Sequence, residues 1–305
     1  MARVVVTGGA GFIGSHVVNL LVEKGHRVVV IDDLSTGLLE NLYGTKGEVE
    51  FHRLDILDLE AVRSLMRRAD YVIHEAARNR VQCSIDDPIG VNETNVRGTL
   101  NVLVAARDCG VSKVVFASSS SVYGDNPVTP KVETLPAAPK SPYAVSKLAG
   151  ENYCLAFMEV YGLPVVSLRY FSVFGRRQRA DMPYAAVIPK FINLMRQGRP
   201  ITIYGTGLQA RDFTCVKDVA KATVMFLDNN ATGVFNVGKG SSSSVDSLVT
   251  HLEDLMGMEA ECNYAPLPKG DWQDSLADIS KIRGIGYAPS YDLRTGLQWT
   301  LGIGA

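Results

Sequence analysis

Apolar and polar positions follow two rhythms along the first half of this chain. Short runs rich in β-branched residues and bounded by glycine or polar residues, ARVVVT, HRVVVID, VEFHRLD, DYVIHEA, VSKVVFAS and LPVVSLRY, predict six strands. Between them, FIGSHVVNLLVEKG has the period of an amphipathic helix that stops at Gly25. A long helical stretch runs from about Ile89 to Cys109, and PYAVSKLAGENYCLAFMEVYG is a third helix. Strand and helix in regular alternation imply parallel strands joined by crossover helices, so the fold class is α/β with a doubly wound parallel sheet. Ligands of such sheets bind at the C-terminal strand ends.

After Tyr170 the regularity breaks. Loops such as GRRQRADMP and YGTGLQARD separate short helices and strands, which predicts a smaller α/β unit over the sheet edge. DFTCVKDVAKATVMFLDN and GVFNVG return to the first unit. The expected division is therefore residues 1–168 with 212–238 for the sheet domain, and 169–211 with 239–305 for the substrate domain. There is no internal repeat.

Composition narrows the class of function. With 305 residues, 46% hydrophobic and 21% charged, the chain can bury a large core, which excludes disorder. A net charge of −1 gives no general attraction to nucleic acid or anionic membrane, so an anionic ligand must be held by a few local cations and the partner is a small molecule. Cys83, Cys109, Cys154, Cys215 and Cys262 are scattered without a C-x-x-C pair, which suits a reducing compartment and argues against zinc. The apolar run at the N-terminus is short and broken by glycines, so neither an export signal nor a span is expected and the protein reads as cytoplasmic. No metal-ligand spacing is present, and His16, His74 and His251 read as structural.

At the end of the first strand, TGGAGFIG places Gly8, Gly11 and Gly14 as G-x-x-G-x-x-G, with Phe12 and Ile13 in the same turn. Glycines there let a pyrophosphate approach a helix N-terminus, where free N–H groups and the dipole attract anions. Asp32 ends the second strand, where a carboxylate accepts from ribose hydroxyls and repels a 2′-phosphate, which favours NAD over NADP. Asp33 shares that role or faces solvent, and Ser35, Thr36 and Gly37 either border the ligand or simply form a turn. Asp55 and Ile56 after the third strand, and Ala76 and Ala77 after the fourth, lie where the cofactor should pass; ordinary strand-end loops are the competing reading.

Two identical serine runs occur, FASSSSVYG and KGSSSSVDSL. The first ends the fifth strand. Beyond it come Tyr143 and, at i+4 on the same helix face, Lys147. A phenol with a reference pKa of about 10 needs a lowering of ~3 units, ~4 kcal/mol, to act as a base near neutrality. A lysine ammonium and a positive nicotinamide ring are the candidate sources. The second run precedes apolar residues at helical spacing, so Ser244 reads as a helix N-cap.

Six motifs spread over the chain, TGGAGFIGSH, NVRGTLNVL, ASSSSVYGD, SPYAVSK, LRYFSVFGRRQ and ARDFTCVKDV, make it resemble the extended short-chain dehydrogenase/reductase family with its Rossmann sheet, specifically the nucleotide-sugar epimerases. The resemblance implies that Ser119 hydrogen-bonds the reacting sugar hydroxyl, Tyr143 removes its proton and Lys147 binds the nicotinamide ribose. It further places Ser118 toward the cofactor, Ser120 toward substrate, Tyr170 beside the cofactor, and Asn95 as support of the active-site helix. Relatives that dehydrate or decarboxylate carry an acid before VYG; here Ser120 and Ser121 stand there, which leaves C4 epimerisation of a UDP-sugar with NAD regenerated in each cycle. A dehydrogenase of the same family that releases NADH, and a catalytically silent binding protein, are the rival readings.

For the substrate side, the resemblance implies that Arg211 reaches the diphosphate and that Arg179, Val187 and Tyr204 border the nucleotide. Arg176, Arg177 and Arg179 equally read as a solvated basic loop. Three positions depart from the usual pattern: Ser172 replaces an asparagine, PKGDW has Pro268 where an arginine is expected with Lys269 and Asp271 following, and Ser275 replaces a bulky tyrosine. A small residue at 275 leaves room for a C2 N-acetyl group, whereas Ser172 with a nearby arginine suits a C6 carboxylate. The order of expectation is UDP-glucose and UDP-N-acetylglucosamine, then UDP-glucuronate. The helices around 89–109 and 141–161 are those the family uses to form homodimers.

Overall fold

Strands β1 (Arg3–Thr7), β2 (Arg27–Asp32), β3 (Val49–Arg53), β4 (Tyr71–His74), β5 (Lys113–Ser119), β6 (Val165–Tyr170) and β7 (Gly233–Val237) form one sheet in the order β7-β6-β5-β4-β1-β2-β3. All neighbours run parallel. The computed structural model describes residues 1–45, 47–182, 184–266 and 274–303. Both faces of the central strands are covered, which is why Val4, Val5 and Val6 are all fully buried and the run reads as continuously apolar.

One face is sealed by α1 (Phe12–Glu23) and α6 (Val216–Met225), the other by α2 (Leu59–Met66), α3 (Gly98–Asp108) and α4 (Pro142–Tyr161). Helix α4 has the ends its sequence asks for. Ser141 caps it by accepting from the Ala144 N–H at 3.2 Å, Pro142 occupies the first turn, and Gly162 ends it in the left-handed region at φ +66°.

The helical stretch expected from Ile89 to Cys109 is not uniform. Helix Pro88–Asn92 runs into a π-type turn over Glu93–Arg97 before α3 begins. The turn surrounds buried Asn95, whose amide donates to Ser146 Oγ at 2.9 Å and to the Arg78 carbonyl at 3.0 Å while its oxygen accepts from the Arg78 N–H. A π turn at such a point aims a side chain that a regular helix would rotate away.

A separate apolar cluster is built from α5 (Val187–Arg196), α7 (Val245–Met256) and α8 (Leu293–Leu301), around Phe174, Phe191, Phe213 and Leu248. Short strand pairs connect it: Val173–Phe174 with Thr214–Cys215, Ala210–Arg211 with Ser243–Ser244, and Ile201–Tyr204 with Cys262–Ala265. Ala277, Ile279, Ile282 and Tyr287 pack back into the core of the large sheet. The second serine run caps α7, with Ser244 Oγ accepting from the Ser247 N–H at 3.1 Å. No helix among the described residues is long and apolar enough to cross a membrane.

Candidate active site

Strand order reverses between β1 and β4, and the residues singled out in the sequence gather at the C-terminal ends around that point. Gly8 turns the chain there at φ +69°, and a Cβ on it would stand 2.6 Å from the Ala76 nitrogen. At Gly14 a Cβ would lie 2.2 Å from the Gly8 carbonyl oxygen, so glycine alone lets α1 close onto the loop. Helix α1 begins at Gly11 with no side-chain cap, so the N–H groups of its first turn, Phe12, Ile13 and Gly14, are available to an anion.

Asp32 is buried at the end of β2 and accepts from the N–H groups of Ala10 at 3.0 Å and Leu34 at 2.9 Å. Burial pushes its carboxyl above the usual range while these N–H groups pull it back. A Cβ on Gly37 would stand 2.8 Å from Asp32 Oδ1, so glycine lets this loop close on the carboxylate. Asp33 and Ser35 are occupied with each other, the carboxylate accepting from the Ser35 N–H at 2.8 Å and its hydroxyl at 2.6 Å, which is a local turn. Asp55 likewise closes a turn with the Leu57 N–H at 2.9 Å. Ile56 points into the core and packs against Gly98. The residues fit NAD: an uncapped helix start, a glycine turn and a strand-end carboxylate.

The serines of β5 diverge because alternate residues on a strand point to opposite faces. Ser118 is turned inward to the Glu151 carboxylate, not toward the cofactor side as expected. Glu151 in turn holds Arg169 by two bonds, 2.9 and 2.7 Å, a buried pair tying α4 to β6. Ser119 faces the other way. Its Oγ accepts from the Ser121 N–H at 3.2 Å and the Ser121 hydroxyl at 2.9 Å, and it lies near enough to Tyr143 to draw that hydroxyl's pKa down. Ser120 begins the following turn, partly exposed.

Tyr143 lies in the first turn of α4 and Lys147 one turn on, its Nζ donating to the Ala117 carbonyl at 2.7 Å. Burial raises the Tyr143 hydroxyl above its usual range; nearby Ser119 and then the positive charge of Arg80 act against that, and Glu75 adds to the rise. Lys147 is brought down to about 8 by burial, with Glu75 opposing. Asn95 reaches this helix through Ser146, so it supports the site from behind. Tyr170, at the end of β6, donates to Glu75 Oε1 at 2.7 Å.

Arg80 and Glu75 escaped the sequence reading. Glu75 precedes the Ala76-Ala77 pair that marked the strand end, and a carboxylate there among apolar letters was the available signal. Arg80 sits in an R-N-R run that reads as a charged loop, yet it is half-buried beside Tyr143, and its guanidinium makes no hydrogen bond or ion pair among the described residues.

On the opposite side, Ser172, Phe174, Gln178, Val187, Arg211 and Phe213 line a cavity of about 150 Å³. Ser172 adopts the left-handed region at φ +23° while its carbonyl accepts from the Thr214 N–H. Ser275 is buried and its backbone is bonded to Ala210 and Asp212, on either side of Arg211. Tyr204 is exposed at a strand end with the Lys190 ammonium 5.8 Å from its ring. Arg179 is engaged by Asp181 at 2.6 and 2.9 Å, two residues away, and Arg176 by the Trp299 carbonyl. Lys269 and Asp271 lie outside the described residues. His16 and His74 are held neutral by burial, at about 4 and about 3. Among the described residues no cluster of His, Cys, Asp or Glu is arranged to hold a metal.

A doubly wound sheet with a glycine turn on its first strand and a Ser-Tyr-Lys set on its fifth strand and following helix defines an NAD-dependent enzyme of the extended short-chain dehydrogenase/reductase type. The family model "NAD dependent epimerase/dehydratase family" matches residues 4–238, and the chain belongs to that family. It is 37% identical over 297 residues to a putative UDP-glucose 4-epimerase of Methanocaldococcus jannaschii, covering 97% of this chain and 96% of that one. Its structure is similar to that of a UDP-N-acetylglucosamine 4-epimerase from Methanobrevibacter ruminantium in complex with UDP-N-acetylmuramic acid, with a TM-score of 0.94, 40% identity and coverage of 99% and 98%. It is also similar to a UDP-glucuronic acid 4-epimerase from Bacillus cereus in complex with UDP-glucuronic acid and NAD, with a TM-score of 0.90, 33% identity and 98% of each chain covered.

Proposed function

We propose that the protein interconverts the C4 epimers of UDP-hexoses and UDP-N-acetylhexosamines, the UDP-glucose/UDP-galactose and UDP-N-acetylglucosamine/UDP-N-acetylgalactosamine pairs. The observation that carries the reaction is buried Tyr143 beside Ser119, with Lys147 one helical turn away and hydroxyls, not carboxylic acids, at 120 and 121. NAD, when bound, supplies the hydride acceptor at C4 and returns the hydride. Tyr143 takes the C4 hydroxyl proton and gives it back, Ser119 orients that hydroxyl, and Lys147 grips the nicotinamide ribose and adds positive charge.

Residues 169–211 with 239–305 form the unit that holds the nucleotide sugar, and 1–168 with 212–238 the unit that holds NAD. Arg211 is the diphosphate ligand beside the 150 Å³ cavity. The small Ser275 beside it leaves space for an N-acetyl group, and a roomy pocket discriminates against the smaller sugar by only ~1–3 kcal/mol, so both pairs turn over. A second reading, UDP-glucuronate, is favoured by Arg80, a cation next to Tyr143 with no carboxylate partner among the described residues, together with the short Ser172. The functional unit is a cytoplasmic homodimer paired through α4 and the helices before α3, where Ile89, Val145 and Val160 are 77%, 52% and 70% exposed.

The test is incubation of the NAD-loaded protein with UDP-galactose, UDP-N-acetylgalactosamine and UDP-galacturonate in turn, with chromatography of the 4-epimer and absorbance at the NADH band. The first two sugars epimerise without net NADH. Net NADH, or no turnover of any of the three, overturns the epimerase reading; turnover of the uronate alone transfers it to the second.

A further inference from the structure

We propose that Glu75 is a charge-balancing residue at the nicotinamide end of the site, setting how strongly this protein favours oxidised over reduced cofactor. The proposal rests on NAD being bound as described above but not on which sugar reacts.

The geometry fixes Glu75 as a hydrogen-bond acceptor. Its backbone N–H is tied to the Thr7 carbonyl at 3.0 Å, and the Gly8 turn closes directly on its carbonyl carbon, so the residue cannot drift from the cofactor loop. The Tyr170 hydroxyl donates to Glu75 Oε1 at 2.7 Å and lies 2.8 Å from Thr223 Oγ1. A hydroxyl aimed at a carboxyl oxygen stabilises the anion. The nearby cation is Lys147, whose own hydrogen-bond partner, the Ala117 carbonyl, carries no charge. Glu151 also acts on Lys147 but is already bonded twice to Arg169. Glu75 is therefore the carboxylate left to answer positive charge at this end.

That charge matters because the two cofactor forms differ by one unit in the ring: NAD⁺ is cationic there and NADH is neutral. A carboxylate held in a partly desolvated setting attracts the former and not the latter. Burial brings the Glu75 carboxyl up to about 7, so its charge responds to pH in the working range. Lys147 and Tyr143 from α4 and Tyr170 from β6 are the titrating groups that face it.

The experiment needs no sugar. Holoprotein is equilibrated with NAD⁺/NADH mixtures of fixed total concentration, desalted rapidly, and the bound NADH fraction read by fluorescence. Glu75→Gln keeps the size and an acceptor for Tyr170 but loses the charge; it raises the bound NADH/NAD⁺ ratio by about tenfold, equivalent to ~30 mV for this two-electron couple. Glu75→Asp stays within about threefold of wild type. The difference between wild type and Glu75→Gln shrinks between about pH 7.5 and about pH 6 as the carboxyl protonates. An unchanged ratio in Glu75→Gln with normal total cofactor overturns the proposal. If that variant holds no cofactor, a wild-type ratio that is flat over the same pH interval overturns it. A protein that passes this test while epimerising no sugar would refute the substrate reading and leave Glu75's role standing.

Discussion

At the scale of residues the proposed function turns on Tyr143 and on Arg80 beside it. With the Tyr143 hydroxyl as the proposed base, Tyr143→Phe is expected to lower epimerisation by roughly 10²–10⁴-fold, the range for loss of one general base, while bound NAD measured after denaturation is unchanged. Arg80 is the positive charge that opposes, without overcoming, the rise that burial gives the Tyr143 hydroxyl. In Arg80→Met, the rise of kcat/KM with pH moves to higher pH, because the phenolate loses a stabilising charge. A profile that stays in place would remove Arg80 from the chemistry. The part of Arg80 was not legible from the letters alone. Tyr143 and Lys147 were found by their spacing, but the cation beside Tyr143 comes from a different strand end and has no spacing to Tyr143 that a sequence could encode.

At the scale of elements, α4 is positioned by what lies beneath it. The Glu151–Arg169 pair is buried and also takes the Ser118 hydroxyl, so Glu151→Ala strands a guanidinium in the core and lowers stability by about 3–5 kcal/mol in urea unfolding. The sequence suggested Ser118 as a cofactor contact; the strand's alternation sends it to this pair instead, and places Ser119 on the side of Tyr143. Strand β4 contributes a second dependence. His74 is buried between Thr7 and Thr99, and His16 sits under the Arg176 loop; both are neutral in the fold. The unfolded chain binds protons at these two sites near pH 6.5 that the folded one refuses until about 4 and about 3. Their contribution to stability is fully present above pH 6.5 and is lost as the pH falls through that window, so the melting temperature drops between pH 6.5 and pH 4. His74→Asn flattens that slope; an equal slope in the variant would place the acid sensitivity elsewhere.

For the whole molecule, exposed apolar residues on α4 and the helix before the π turn mark the face expected to pair two copies. The double variant Ile89→Asp with Val160→Asp leaves the fold intact, since both residues are largely exposed, and converts a dimer to a monomer in sedimentation at micromolar concentration. A wild-type protein already monomeric there would refute the pairing. At this scale the division of labour between letters and fold is plain. The order of strands and helices, the glycine turn, Asp32, the N-cap of α4 and the N-cap role of the second serine run follow from local periodicity and local backbone need, which any stretch carries in its own residues. The π turn that aims Asn95, the inward Ser118, the engagement of Arg179 by Asp181, and the meeting of Glu75 with Tyr170 and of Arg80 with Tyr143 were decided only by the tertiary structure. Apart from the short, exposed Arg179–Asp181 pair, each depends on which groups from distant segments share one desolvated space, and a buried charge takes its state from those neighbours.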